Sequence, residues 1–233
     1  MESSRRQLLF LPGLGYTQEI FGRLPQTRLP EARLLNWIDP HPNESRQAYA
    51  RRWFQPYSNL QQAPLLIGHS FGGMMAQEIA AIFPIHRIIL ISNVRCREQL
   101  PLGLRLASPL RIYRLFTRGI CIKTVRFWGK VHDLRTQADQ DLFKRMVGSY
   151  SNPLLQWSLK RLSEWTPPPL PNTTPLHQIH GTNDKTLPIS RAFPPDQVIK
   201  DGSHIMLYQQ AEELGRLIDP LLSPSPSTFQ HDP

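Results

Sequence analysis

The chain predicts an α/β fold: a parallel sheet flanked by helices and interrupted by a helical insertion. Three observations predict it. Short apolar runs alternate with stretches of helical spacing along most of the chain. One of these runs, Pro64-Leu65-Leu66-Ile67, feeds a glycine-rich turn that passes directly into a helix. Between about 95 and 169 the alternation stops and only helical spacing remains.

Six strands are expected. The first is Leu8–Leu11, which ends in Pro12-Gly13, and the second is Arg33–Ile38. A helix follows near 44–54. Leu65–Ile67 is the third strand, and the helix behind its turn covers 71–82. Arg87–Ile91 is the fourth, and its near-continuous apolar run suits a strand buried on both faces. Leu176–His180 and Gln197–Lys200 complete the set, and a helix over 204–222 closes the fold.

The interrupting segment places Leu142, Met146 and Val147, then Leu154, Leu155, Leu159 and Leu162, at helical spacing. Trp165-Thr166-Pro167-Pro168-Pro169 ends it, because three prolines cannot continue a helix. Residues 1–94 and 170–222 therefore read as the core, 95–169 as a helical insertion lying over the sheet, and 223–233 as a disordered tail. The 233 residues, 40% of them hydrophobic, suffice for one such domain with a sizeable core.

Composition narrows the function. No apolar run approaches the roughly 18 residues of a membrane span. The N-terminus has no apolar stretch with a small-residue cleavage site, so a cytoplasmic location is expected. Cys96 and Cys121 form no disulfide or zinc framework. The net charge is +9. Residues 95–165 hold fourteen Lys/Arg and five Asp/Glu, so the whole excess lies in the insertion. Solvated helix faces would explain it, as would an anionic substrate or an acidic carrier protein. No nucleic-acid-binding motif accompanies the charge.

The turn itself is Gly68-His69-Ser70-Phe71-Gly72-Gly73. A serine at the apex of a strand-to-helix turn sits in strained backbone, with its hydroxyl above the sheet. Gly68 and Gly72 leave room where side chains would strike the neighbouring strand or helix. The following helix points its N-terminus at the serine, which favours developing negative charge. A Ser/Gly turn that merely caps a helix is the alternative. A serine nucleophile needs a base, and the base needs an orienting carboxylate. Asp184 directly follows the fifth strand and His204 the sixth, on the sheet edge where open α/β folds bind ligands.

With Ser70, Asp184 and His204 in that chain order, the sequence resembles an α/β-hydrolase of the small, single-cap type over roughly residues 7–222. The resemblance implies a minimal six-stranded, all-parallel sheet in the order 2-1-3-4-5-6, without the two antiparallel strands that usually precede it. It implies an oxyanion hole made by the backbone amides of Phe71 and Leu14, the latter in the loop Leu11–Tyr16. Many relatives carry His-Gly where this chain has Pro12-Gly13.

Each role has a rival. Asp201 lies three residues before His204 and reads as a turn residue. His69 reads as structural support for the turn. His177 and His180 read as strand packing, since no cluster has metal spacing. Cys96 reads as a buried thiol, with pocket lining as the alternative. Trp157 and Trp165, eight apart, read as a clamp on one helical face, and Trp37 as a flank of the pocket. The resulting expectation is a serine hydrolase that cleaves an ester or thioester through an acyl-enzyme, with no cofactor and no metal. Its substrate would be a small acyl compound, anionic or carrier-linked if the basic segment contacts it. A lyase on the same scaffold and a non-catalytic receptor are the alternatives. Oligomeric state is not legible.

Overall fold

The computed structural model describes residues 6–25, 32–190 and 192–222. The expected tail, 223–233, lies outside the described residues. Six strands form one sheet: β1 (Leu8–Leu11), β2 (Ala32–Leu34), β3 (Leu65–His69), β4 (Arg87–Ile91), β5 (Leu176–Gly181) and β6 (Gln197–Ile199). The order is β2-β1-β3-β4-β5-β6, and every pair is parallel. Register aligns Leu11 with Gly68, and Ile91 with both His69 and Ile179. The carboxyl ends of β1, β3, β5 and β6 therefore share one edge.

Helix α1 (Arg46–Phe54) starts at Ser45, whose hydroxyl accepts the Ala48 amide at 3.1 Å. Helix α2 (Phe71–Ala80) is buried along its whole length and packs on β1, β3 and β4. Between β4 and β5 lie α3 (Leu102–Arg105), α4 (Arg118–Lys123), α5 (Val125–His132), α6 (Gln137–Gly148) and α7 (Asn152–Ser163). A reciprocal Thr136–Asp139 capping box opens α6. Among the described residues, no helix is long and apolar enough to cross a membrane.

Two expected elements differ. The second strand stops at Leu34 rather than Ile38. Side chains of α1 take the backbone groups a longer ladder would have used: Trp53 Nε1–H donates to Asn36 O at 2.7 Å. Tyr49 O–H donates to Ile38 O at 2.7 Å and accepts the Ile38 amide at 3.1 Å. The last helix is broken in two, α8 (Met206–Gln209) and α9 (Ala211–Leu222), by Gln210 at φ −123° and ψ 40°. His204 precedes it in a turn.

Tryptophans anchor the inserted helices, though not as one face. Trp157 on α7 stacks on Tyr49 at 4.3 Å and donates to Glu44 O at 2.8 Å. Trp165 is fully buried but lies beyond the end of α7, so the helical face is not shared. Trp37 stacks on Trp53 (4.4 Å) and on Phe71 (5.5 Å), and it is not among the described residues that line the cavity holding Ser70.

Tyr49→Phe should lower stability by about 1–3 kcal/mol, because it strips a buried partner from two backbone groups of Ile38. Denaturant unfolding should show a shifted midpoint; an unchanged midpoint would mean that water replaces the hydroxyl. Gly72→Ala should cost about 3 kcal/mol or more. Its Cβ would fall 2.2 Å from the Leu11 carbonyl oxygen, which is backbone and cannot rotate away. Recovery of a soluble variant with wild-type stability would refute that.

Candidate active site

Ser70 has φ 49° and ψ −127°, a conformation that L-residues rarely adopt. Gly68 permits the turn, since a Cβ there would lie 2.4 Å from Gly73 Cα. The turn is held by backbone bonds. Ser70 N–H donates to Ile91 O, and Gly73 N–H to Ser70 O, each at 2.9 Å. Asn93 Nδ2 also donates to Ser70 O.

Three side chains predicted from sequence meet here. Ser70 Oγ–H donates to His204 Nε2 at 2.9 Å, and His204 Nδ1–H donates to Asp184 Oδ2 at 2.9 Å. All three residues are buried. The other oxygen of Asp184, Oδ1, accepts the amides of Thr186 and Leu187, both at 2.9 Å. One carboxylate oxygen is thus committed to its own loop and the other to the imidazole. The loops after β5 and β6 are laced together by Asn183 N–H to Gly202 O at 2.9 Å and Thr182 N–H to Ile199 O at 3.0 Å. Burial alone would raise the Asp184 carboxyl, but His204 and the His180 hydrogen bond outweigh it and hold it well below the usual carboxylate range.

Asp201 does not join this group. It is exposed, at φ 55°, with its amide on Thr182 Oγ1 at 2.7 Å, the turn position expected for it. Leu14 lines the same cavity as Ser70, and Phe71 opens α2, where amides lack intrahelical partners. Cys96 is half-buried rather than buried, and it caps the turn Arg97–Gln99 outside the cavity. Among the described residues, no group of three His, Cys, Asp or Glu is placed to hold a metal ion.

Three further residues gain importance from the geometry. His69 donates Nε2–H to the His204 carbonyl at 2.8 Å, which fixes the backbone that carries the imidazole. His180 donates to Leu187 O at 2.6 Å and lies 3.3 Å from Asp184 Oδ2, so it supports the acid loop rather than merely packing. His132, on α5, was not singled out by any motif. Its Nδ1 is hydrogen-bonded to the hydroxyl of Tyr16, and its ring lies 5.4 Å from that of His204. Burial, with His204 nearby, pulls His69 and His132 down to about 3, so both are neutral at pH 7.

Above Ser70 and His204 is a cavity of about 340 Å³. Its walls are chiefly apolar, with Leu104, Ile112, Phe116, Phe143 and Leu162 among them. Among the described residues, no Lys or Arg lines it. Tyr150 O–H, between α6 and α7, donates to Tyr16 O at 2.5 Å and ties the loop after β1 to the inserted helices.

Solved structures share this architecture. The chain is similar to a thermophilic esterase from Thermogutta terrifontis, at 15% identity and TM-score 0.70, covering 93% of this chain and 89% of that one. An esterase from Exiguobacterium antarcticum aligns at 12% identity and TM-score 0.71, covering 93% and 91%. A meta-cleavage product hydrolase from Pseudomonas fluorescens IP01 aligns at 17% identity and TM-score 0.67, covering 92% and 89%. At these identities the likeness is one of fold. No curated protein matches the chain. A model described as the alpha/beta hydrolase family matches residues 8–217, nearly all of the described chain, and the chain belongs to that family.

Proposed function

We propose that this hydrolase is a serine esterase or thioesterase working through an acyl-enzyme. The observation that carries the reading is the unbroken hydrogen-bond chain Ser70–His204–Asp184 at the floor of an apolar cavity. Ser70 attacks the acyl carbon while His204 takes the hydroxyl proton. The amides of Leu14 and Phe71 receive the oxyanion, where one lost donor typically costs about 100- to 1000-fold. His204 then returns the proton to the leaving oxygen or sulfur, and the acyl–Ser70 ester remains. Water, deprotonated by His204, cleaves that ester and releases the carboxylic acid. Asp184 fixes the imidazole tautomer and stabilises its charged form.

Helices within 95–169 act as a cap whose inner surface selects the acyl group. That surface is apolar and, among the described residues, lacks Lys and Arg, which favours an uncharged aliphatic or aromatic acyl chain over an anionic one. The two free thiols fit a cytoplasmic setting.

A fluorophosphonate should label Ser70, and both Ser70→Ala and His204→Ala should abolish labelling while melting cooperatively. Asp184→Asn should lower kcat by about 10³- to 10⁴-fold, through the wrong imidazole tautomer. Undiminished ester hydrolysis by Ser70→Ala would rule the mechanism out. Rapid substrate turnover with no trappable acyl-enzyme would instead favour the lyase.

The two depressed imidazoles also predict an acid limb of stability. Their folded values lie near 3 against an unfolded value near 6.5, so the unfolded chain binds more protons between these limits. Their contribution is full above about pH 6.5 and is lost as pH falls toward 3. His132→Phe should therefore lose less melting temperature between pH 7 and pH 4.5 than the parent chain does. Parallel pH dependences would show that His132 does not titrate as its burial implies.

A further inference from the structure

The outer side of the inserted helices carries a surface that extends well beyond the triad and its cavity. From Gln99 to His132 there are seven Lys/Arg and no Asp/Glu. All but Arg105 are exposed, and none is paired with a carboxylate among the described residues. The same stretch carries apolar side chains in water. Of the nine large apolar residues that stand exposed among the described residues, seven lie between 102 and 127. Leu102, Leu110, Leu115 and Phe127 are each 59–66% exposed. Helix α3 and the turn Ile112–Leu115 rest on α7, and α4 rests on α6, so these elements already bury an inner side.

This patch is continuous with the cavity. Ile112, Leu115 and Ile120 are exposed and also line it, so the apolar rim leads inward toward Ser70. Clustered exposed apolar side chains mark an interaction surface. Two copies meeting face to face would set seven cations against seven more, which disfavours self-association. An acidic protein would match the cations but gives no reason for the apolar rim around the cavity mouth. A bilayer matches both: its phosphates meet the guanidinium and ammonium groups, and its headgroup–acyl boundary takes Leu and Phe side chains.

We propose that this surface docks reversibly on anionic lipid bilayers, with the cavity mouth turned toward the membrane. Docking is independent of the reaction at Ser70, although it would let the site draw acyl chains from the lipid phase.

Vesicle flotation of the Ser70→Ala protein tests this without relying on catalysis. The protein should float with vesicles of equal parts phosphatidylcholine and phosphatidylglycerol. Its recovery with phosphatidylcholine alone should be lower by about tenfold or more. Two triple variants, Leu102→Ser/Leu110→Ser/Phe127→Ser and Arg111→Glu/Arg114→Glu/Lys123→Glu, should each reduce partitioning by about tenfold or more. A cooperative melt checks each fold, and the single variants Phe127→Ser and Arg114→Glu repeat the comparison should a triple variant fail to melt cooperatively. Absence of flotation, or equal binding to neutral and anionic vesicles, would overturn the proposal. So would an apolar variant that binds like its parent, since the patch would then be purely electrostatic and suited to an acidic protein. Failure of fluorophosphonate labelling would bear on the hydrolase reading and leave this result standing.

Discussion

The whole site hangs on one uncomfortable residue, Ser70 at φ 49° and ψ −127°. Such backbone costs of order 1–3 kcal/mol and survives only where its surroundings over-determine it. Here the surroundings come from three directions. The amide of Ser70 is pinned to Ile91 on β4, and its carbonyl receives both the Gly73 amide and the Asn93 side chain. Asn93 is in turn held by Gln178 on β5, through Nε2–H to its carbonyl at 2.6 Å. Helix α2 presses on the end of β1 so closely that Gly72 cannot carry a side chain. If the strain relaxed by withdrawal of α2, the hydroxyl would leave His204. Strand order, helix contact and the proposed chemistry are therefore one constraint seen at three scales.

Around that serine the fold gathers more imidazole than the proposed reaction uses. His69 lies 5.1 Å and His132 5.4 Å from His204, measured between ring centroids. A second positive charge at that range would oppose the imidazolium that the mechanism requires. Burial resolves the conflict, because both neighbours are neutral at pH 7. They then serve as hydrogen-bonding rings, one toward the His204 backbone and one toward Tyr16. Asp184 is the only carboxylate in hydrogen-bonding contact with His204 among the described residues, so the charge-stabilising pair is set apart from its polar surroundings.

What the sequence discloses about this site follows from how local each cause is. The β3 turn is legible because its glycines and its flanking periodicities lie within one short stretch. Asp184 and His204 are legible because strand ends share an edge in a parallel sheet, so the topology brings them together. The shortening of β2 is not legible, since it depends on Trp53 and Tyr49 reaching back from α1 to carbonyls far away in sequence. His132 is invisible for the same reason: a lone histidine on a helix declares nothing until α5 is laid over the loop that carries Tyr16. The helix break at Gln210 has no glycine or proline to announce it.

Charge is where composition and geometry part most clearly. A net +9 concentrated in the inserted segment invites an anionic substrate, yet among the described residues the cavity lining holds no Lys or Arg. Helix α5 shows how both are true. Trp128 and His132, four apart, line the cavity, while Arg126 and Lys130, also four apart and offset by two, are exposed. Residues offset by two on a helix point to opposite sides, so a segment can carry cations outward without bringing one to the reacting atoms. The excess charge therefore describes what the outer surface meets. In the proposed reading, what the site accepts is set by the other face of the same helices, and there the physics is apolar.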